Sequence, residues 1–271
     1  RDAGGNDRAY DSPVGAMSFN WNSTTVAIRP QGKGEKAQVF IDPANEYIRV
    51  DNKAVTGGKT NLNVSKVEGD GFDTIRVTGQ IGRNEKEVIF YKAISDPALY
   101  SGYCFKEFAK QRGIAIEGPV VLGKVPSNAD LVTDFYGEKL NKILGDLNKF
   151  SNNYVAEMLT KNLAAQTDPP GSIEKGMSQI HKYLNRLGIS SSEYVLTNPS
   201  GLNRENHITA KAMWKVVNHE KTQLKYFPEF SSSLPIAGID GTLKKRMKGS
   251  VAERWVRAKT GYLTNVVSLA G

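Results

Sequence analysis

The sequence predicts a mixed α/β protein of the α+β kind, with a β-rich first part and a mainly helical second part that closes on two strands. Three observations carry this expectation. Apolar and polar residues alternate over short stretches up to about residue 125, the period-two pattern of half-buried strands. From Val125 onward apolar residues recur three or four apart, the pattern of helices burying one face. The chain has 271 residues, 39% of them hydrophobic, which is enough for one large or two ordinary domains with their own cores.

The elements follow in order. Alternation from Thr25 to Ile28, Gln38 to Ile41, Tyr47 to Val50, Thr74 to Val77 and Glu87 to Phe90 predicts strands. Turn signals at Asp51-Asn52, Gly57-Gly58, Gly69-Asp70-Gly71 and Gly82-Arg83-Asn84 separate them, which predicts one or two small antiparallel modules. Leu99, Cys104, Phe105 and Phe108 lie at helical spacing between Pro97 and Arg112, and the apolar run from Ile114 to Val121 predicts another strand. Leu140, Ile143, Leu144, Leu147 and Phe150 predict a helix ending near Phe150; Val155, Met158, Leu159 and Leu163 predict a second, so Ser151-Asn152-Asn153 should join the two. After the break at Asp168-Pro169-Pro170-Gly171, Ser172 is placed to cap a helix running to Gly188. A further helix should cover Ala210 to Asn218, and Arg254 to Ala270 reads as a strand, a tight Gly turn and a second strand.

Composition narrows the classes. The net charge of +8 lies mostly beyond residue 126 and favours anionic partners. The one dense basic cluster, Lys244, Lys245, Arg246 and Lys248, has no nucleic-acid-binding motif around it, so no nucleic-acid partner is expected. No run of about 18 uncharged apolar residues occurs, so no transmembrane helix is expected. The single cysteine, Cys104, sits in an apolar pattern and reads as core. His181, His207 and His219 are scattered without metal-ligand spacing, and no metal or other cofactor is expected.

Two short motifs stand out: Ser151-Asn152-Asn153 between helices and Lys259-Thr260-Gly261 on a strand, 108 residues apart. Each tripeptide alone is common. In this order and on these elements they resemble the S-x-N and K-T-G motifs of penicillin-binding proteins and serine β-lactamases. The segments YDSPVGAMSFN, DPALYSGYCFKEFAKQRGI, SNNYVAEML, NPSGLNRENHIT and LPIAGIDGTLKKRM, leading to RAKTG, narrow the resemblance. They are similar to the low-molecular-mass class C group, the D-Ala-D-Ala carboxypeptidase/endopeptidases of peptidase family S13.

The resemblance implies a transpeptidase-like α/β catalytic domain over residues 126–271, β-rich inserted modules over 21–125 (with about 37–92 nested in another) and an edge of the catalytic domain over 1–20. It implies acyl transfer from the D-alanyl stem peptides of peptidoglycan, inhibition by β-lactams, and a periplasmic or exported location. Ser151 would relay a proton to the leaving amine, Asn153 hold the substrate amide and Lys259 supply positive charge. Thr260 would meet the terminal carboxylate, Gly261 let the substrate approach, Tyr262 give a backbone N–H to the oxyanion, and Arg204 line the cleft. Asp240 and Thr242 would shape the turn beside the site.

The same resemblance sets three departures. The group's S-x-x-K motif, which carries the nucleophile and its lysine base, is expected to precede residue 1, and the last strands and helix of the domain to follow Gly271. Tyr262 stands where a Thr or Ser is common after K-T-G. The literal match Ser172-Ile173-Glu174-Lys175 follows S-x-N instead of preceding it and is expected to be a helix cap. Gly58-Lys59-Thr60 lacks the first glycine of a phosphate loop, Lys53 standing there. A non-catalytic wall-peptide binder and a β-lactamase remain as alternatives.

Overall fold

The computed structural model describes residues 7–271, and these divide into two compact units, 7–130 and 131–271.

The first unit is built on two sheets. Strand β1 (Ser23–Arg29) lies between β2 (Gln38–Asp42) and β7 (Val88–Ala93), antiparallel to both. Its Val26 and Ile28 are fully buried while Thr25 and Ala27, on the other face, are half-buried, as the strand period requires. The second sheet is organised by β6 (Asp73–Gly82), the longest strand. Along one edge β3 (Ile48–Asn52) pairs with Asp73 to Val77 and β4 (Val55–Gly57) with Gln80 to Gly82, both parallel; β5 (Asn61–Glu68) runs antiparallel along the other. Helix α1 (Pro97–Gln111) starts at Asp96, whose Oδ1 accepts from the N–H groups of Ala98 and Leu99 at 2.9 Å, with proline at its first position. Tyr100 and Cys104 of α1 join Val26, Ile28, Tyr47, Ile75, Val77 and Ile81 in one buried cluster. Burial pushes the Cys104 thiol up to about 11, so it is an inert core residue.

Three expectations change here. The modules are not purely antiparallel, because β3 and β4 both run parallel to β6. Two strands, β4 and β5, lie where no strand was expected; the alternation of β5 breaks after Val64, and its ladder with β6 supplies what its side chains do not. The run from Ile114 to Val121 forms no strand: Gly113 and Gly118 have φ of 77° and 83°, Pro119 has no N–H to donate, and no partner strand runs alongside.

In the second unit α2 (Leu140–Phe150), α3 (Asn153–Ala165) and α4 (Ile173–Arg186) follow one another, then β8 (Tyr194–Val195) pairs with β9 (His207–Ile208). Helices α5 (Ala210–Thr222) and α6 (Phe227–Ser233) lead to the hairpin of β10 (Lys259–Leu263) and β11 (Val266–Ala270). Leu184, Ile189, Tyr194 and Ala212 form its buried cluster. The hairpin turns at Thr264-Asn265, with Asn265 at φ 65°, and not at a glycine; Gly261 lies inside β10 opposite Ser268. Asparagine tolerates the left-handed region because its short amide side chain bonds locally.

Candidate active site

Ser151 owes its place at a corner to a tight reversal between helices. It is the residue that ends α2, in the left-handed conformation at φ 57°, ψ 49°. The N–H of Asn152 then donates to the Leu147 carbonyl at 3.0 Å, closing the α2 end, while the Asn152 Oδ1 accepts from Val155 N–H at 3.1 Å and opens α3. One residue therefore serves both helix ends, and the cap is Asn152, not Ser151. Glycine is the usual choice at a left-handed helix end. A serine there leaves a hydroxyl at the corner at some conformational cost, a pattern that concentrates at functional positions.

Lys259 opens β10, and its Nζ donates to Ser151 Oγ at 2.6 Å and to the Thr260 carbonyl at 2.6 Å. Burial holds the Lys259 ammonium below the ordinary lysine value, since desolvation penalises its charged form. Thr260 Oγ1 donates to Thr242 Oγ1 at 2.8 Å. A β-carbon at Gly261 would fall on the Ser268 hydroxyl across the hairpin. The Tyr262 side chain is 83% exposed. Arg204 reaches the same hairpin, donating from a guanidinium nitrogen to the Thr264 carbonyl at 3.1 Å. Asn153 is the first residue of α3, one position past the cap.

A brace behind these residues is not legible in the sequence. Lys149 of α2 donates through Nζ to Asp240 Oδ2 at 2.7 Å and to the Leu234 carbonyl at 3.0 Å. Asp240 Oδ1 accepts from Ile236 N–H at 2.8 Å, and Ile236 and Ala237 bridge to the residues just before Lys259. A lysine in the last turn of a helix reads from sequence as dipole compensation, so nothing singled it out.

The decoys are occupied elsewhere. Ser172 Oγ accepts from Lys175 N–H at 3.2 Å and caps α4. Thr60 Oγ1 accepts from Gly82 N–H at 2.9 Å within the β-rich unit. The His181 ring contacts the Leu196 carbonyl at 3.1 Å and lies against Tyr194.

A hydroxyl held by a partly desolvated lysine at the start of a strand, with the Thr260 hydroxyl at the next position of that strand, suits proton relay and anion binding. The profile of the D-Ala-D-Ala carboxypeptidase 3 (S13) family matches residues 4–271. The chain belongs to that family. It is 33% identical over 97% of its length to a D-alanyl-D-alanine carboxypeptidase of an Actinomadura species, covering 52% of that protein. It is 29% identical over 72% of its length to the D-alanyl-D-alanine carboxypeptidase DacB of Haemophilus influenzae, covering 41%. This S13 chain thus spans about half the length of the curated relatives it matches. Its fold is that of the penicillin binding protein 4 (dacB) crystal structure from Haemophilus influenzae, with a TM-score of 0.78 at 24% identity over 98% of this chain and 59% of the other. A second structure of that protein, in complex with a β-lactam, is matched at a TM-score of 0.75 and 23% identity over 96% of this chain and 60% of that one. Among the described residues no helix is long and apolar enough to cross a membrane.

Proposed function

We propose that the protein is a serine D-alanyl-D-alanine carboxypeptidase, also able to act as an endopeptidase, that cleaves peptidoglycan stem peptides in the cell envelope through an acyl-enzyme and is acylated by β-lactams. The observation that carries this reading is the 2.6 Å contact between Lys259 Nζ and Ser151 Oγ, which joins the two motifs into one site.

In the proposed step, a nucleophilic serine gives its hydroxyl proton to the lysine base of the S-x-x-K motif as its oxygen bonds to the carbonyl carbon of the penultimate D-alanine. As the C–N bond breaks, the leaving nitrogen takes a proton from Ser151 Oγ, which recovers one from Lys259. The depressed affinity of Lys259 for its proton eases that relay. Asn153 holds the substrate amide, Thr260 meets the carboxylate, Gly261 leaves room at the strand, the Tyr262 N–H faces the oxyanion, and Arg204 lines the cleft beside the hairpin. Residues 21–125 are inserted modules that contribute no nucleophile.

The only S-x-x-K tetrad in residues 1–271 begins at Ser172, and its hydroxyl is spent on capping α4. In the reading proposed, the nucleophile is a serine outside residues 1–271. Intact-mass spectrometry after incubation with benzylpenicillin tests this. The 271-residue chain should gain no adduct, and the complete protein should gain one equivalent on a serine outside residues 1–271. An adduct on Ser172 overturns the assignment of the nucleophile; a complete protein that binds wall peptide without acylation turns the reading into that of a binder.

A further inference from the structure

We propose that Thr242 is a specificity-determining positioning residue, which orients the Thr260 hydroxyl and thereby sets the preference of the site for acyl donors ending in a free carboxylate. Lys149 and Asp240 hold it in place. The inference rests on the role given to Thr260 above and extends it to three residues outside both motifs.

The chemistry starts from proton counting. Each threonine hydroxyl has one proton to donate and can accept from others, whereas a carboxylate only accepts. In the structure Thr260 Oγ1 donates to Thr242 Oγ1 at 2.8 Å, so its one proton is committed to Thr242 until a ligand claims it. In that arrangement Thr260 has no proton left to offer a ligand. When the pair reverses and Thr242 donates instead, the Thr260 proton is free and turned away from Thr242, toward an arriving anion. A carboxylate selects the second arrangement by drawing the Thr260 proton outward, and Thr242, reversing to donate to Thr260 Oγ1, holds that hydroxyl in the orientation that faces the ligand. Tyr262 adds no hydroxyl close at hand, since its ring projects outward with 83% of the residue exposed.

The position of Thr242 is built, not incidental. It is the middle residue of a single 3-10 turn, Gly241–Leu243, anchored on one side by Leu243, which is fully buried. On the other side Gly241 sits at φ +54°, and a β-carbon there would lie 2.8 Å from the Lys149 carbonyl oxygen and 3.1 Å from its Cα. Only glycine lets the turn approach the end of α2 so closely. Asp240, the residue entering the turn, is clamped by Lys149 Nζ at 2.7 Å and by Ile236 N–H at 2.8 Å. Lys149 stands two residues before Ser151, so the same helix end sets both the serine corner and the turn that aims Thr242 at β10.

Acylation rates of the complete protein with benzylpenicillin and with its methyl ester separate this role from simple scaffolding. In Thr242→Val the free-acid rate should fall by about fivefold to tenfold, the worth of one hydrogen bond, with the ester rate unchanged; Thr242→Ser should restore the ratio. Asp240→Asn should shift the ratio the same way by a smaller factor. Equal losses for acid and ester, or an unchanged ratio, would overturn the inference. If the valine variant does not fold, the Thr242→Ala and Thr242→Ser pair carries the same comparison. A complete wild-type protein that fails to acylate removes the underlying reading instead, whereas normal acylation with an unchanged ratio removes this inference alone.

Discussion

At the scale of single residues, Lys259 shows how burial and partner geometry act together. Its ammonium is partly desolvated and its affinity for the proton is lowered by that burial. The sign of the stability effect follows. Between the folded and the unfolded lysine pKa the unfolded chain binds more protons, so stability rises with pH across that interval, and below it the burial cost is fully present. Lys259→Met should therefore not lower the urea midpoint at neutral pH, and any advantage of the variant should shrink as pH rises toward the ordinary lysine value. Acylation of the complete protein should slow by about a hundredfold or more, the loss of a preorganised charge. A variant that both acylates normally and melts earlier would remove Lys259 from the site. Ser172 makes the contrasting case: Ser172→Ala should cost about 1 kcal/mol through the lost cap and leave acylation untouched, as read by denaturation and by intact mass.

At the scale of elements, α3 and α4 pack so closely that one position has no room for a side chain. A β-carbon on Gly176 would collide with the backbone carbonyl of Thr160, and Thr160 is itself buried. Alanine is the better helix former by about 1 kcal/mol, but the overlap is with backbone, and forcing packed elements apart costs about 1–3 kcal/mol. Gly176→Ala should thus destabilise the unit. An increase in melting temperature would show that α4 can move away from α3 freely. The same scale explains where the sequence misleads. Ile114 to Val121 has the apolar content of a strand, but a strand exists only with a partner, and two left-handed glycines and Pro119 keep the run from joining one. Strand β5 is the converse: weak alternation, yet paired along its whole length from Asn61 to Glu68.

At the scale of the whole molecule, the β-rich unit carries its own core, with Val26, Ile28, Ile75, Val77, Ile81 and Tyr100 fully buried. Residues 119–139 have no helix or strand, and Val132 and Phe135 within them are 95% and 94% exposed. A segment outside helix and strand with this exposure is the substrate proteases choose. Brief trypsin treatment should cut first at Lys124 or Lys139 and release a β-rich fragment that still unfolds cooperatively in urea. Complete degradation without such a fragment would show that the unit does not hold together by itself.

What the sequence determined alone is what neighbours along the chain decide. The periods of α2, α3, α4 and α5, the cap at Ser172, the strands from β1 to β3, and the two motifs with the family they indicate all depend on residues a few positions apart, where propensity and side-chain spacing act directly. Tertiary structure alone decided the parallel pairing of β3 and β4 with β6, the turn at Thr264-Asn265, the 2.6 Å meeting of Ser151 and Lys259 across 108 residues, and the brace from Lys149 through Asp240 toward Thr242. Such contacts form only after long loops close, and loop closure is favourable through the sum of all packing in the unit rather than through any local signal. Lys149 illustrates the difference: one-dimensional context makes it an ordinary helix-end lysine, and only the approach of Gly241 to its backbone turns it into the residue that fixes the geometry of the site.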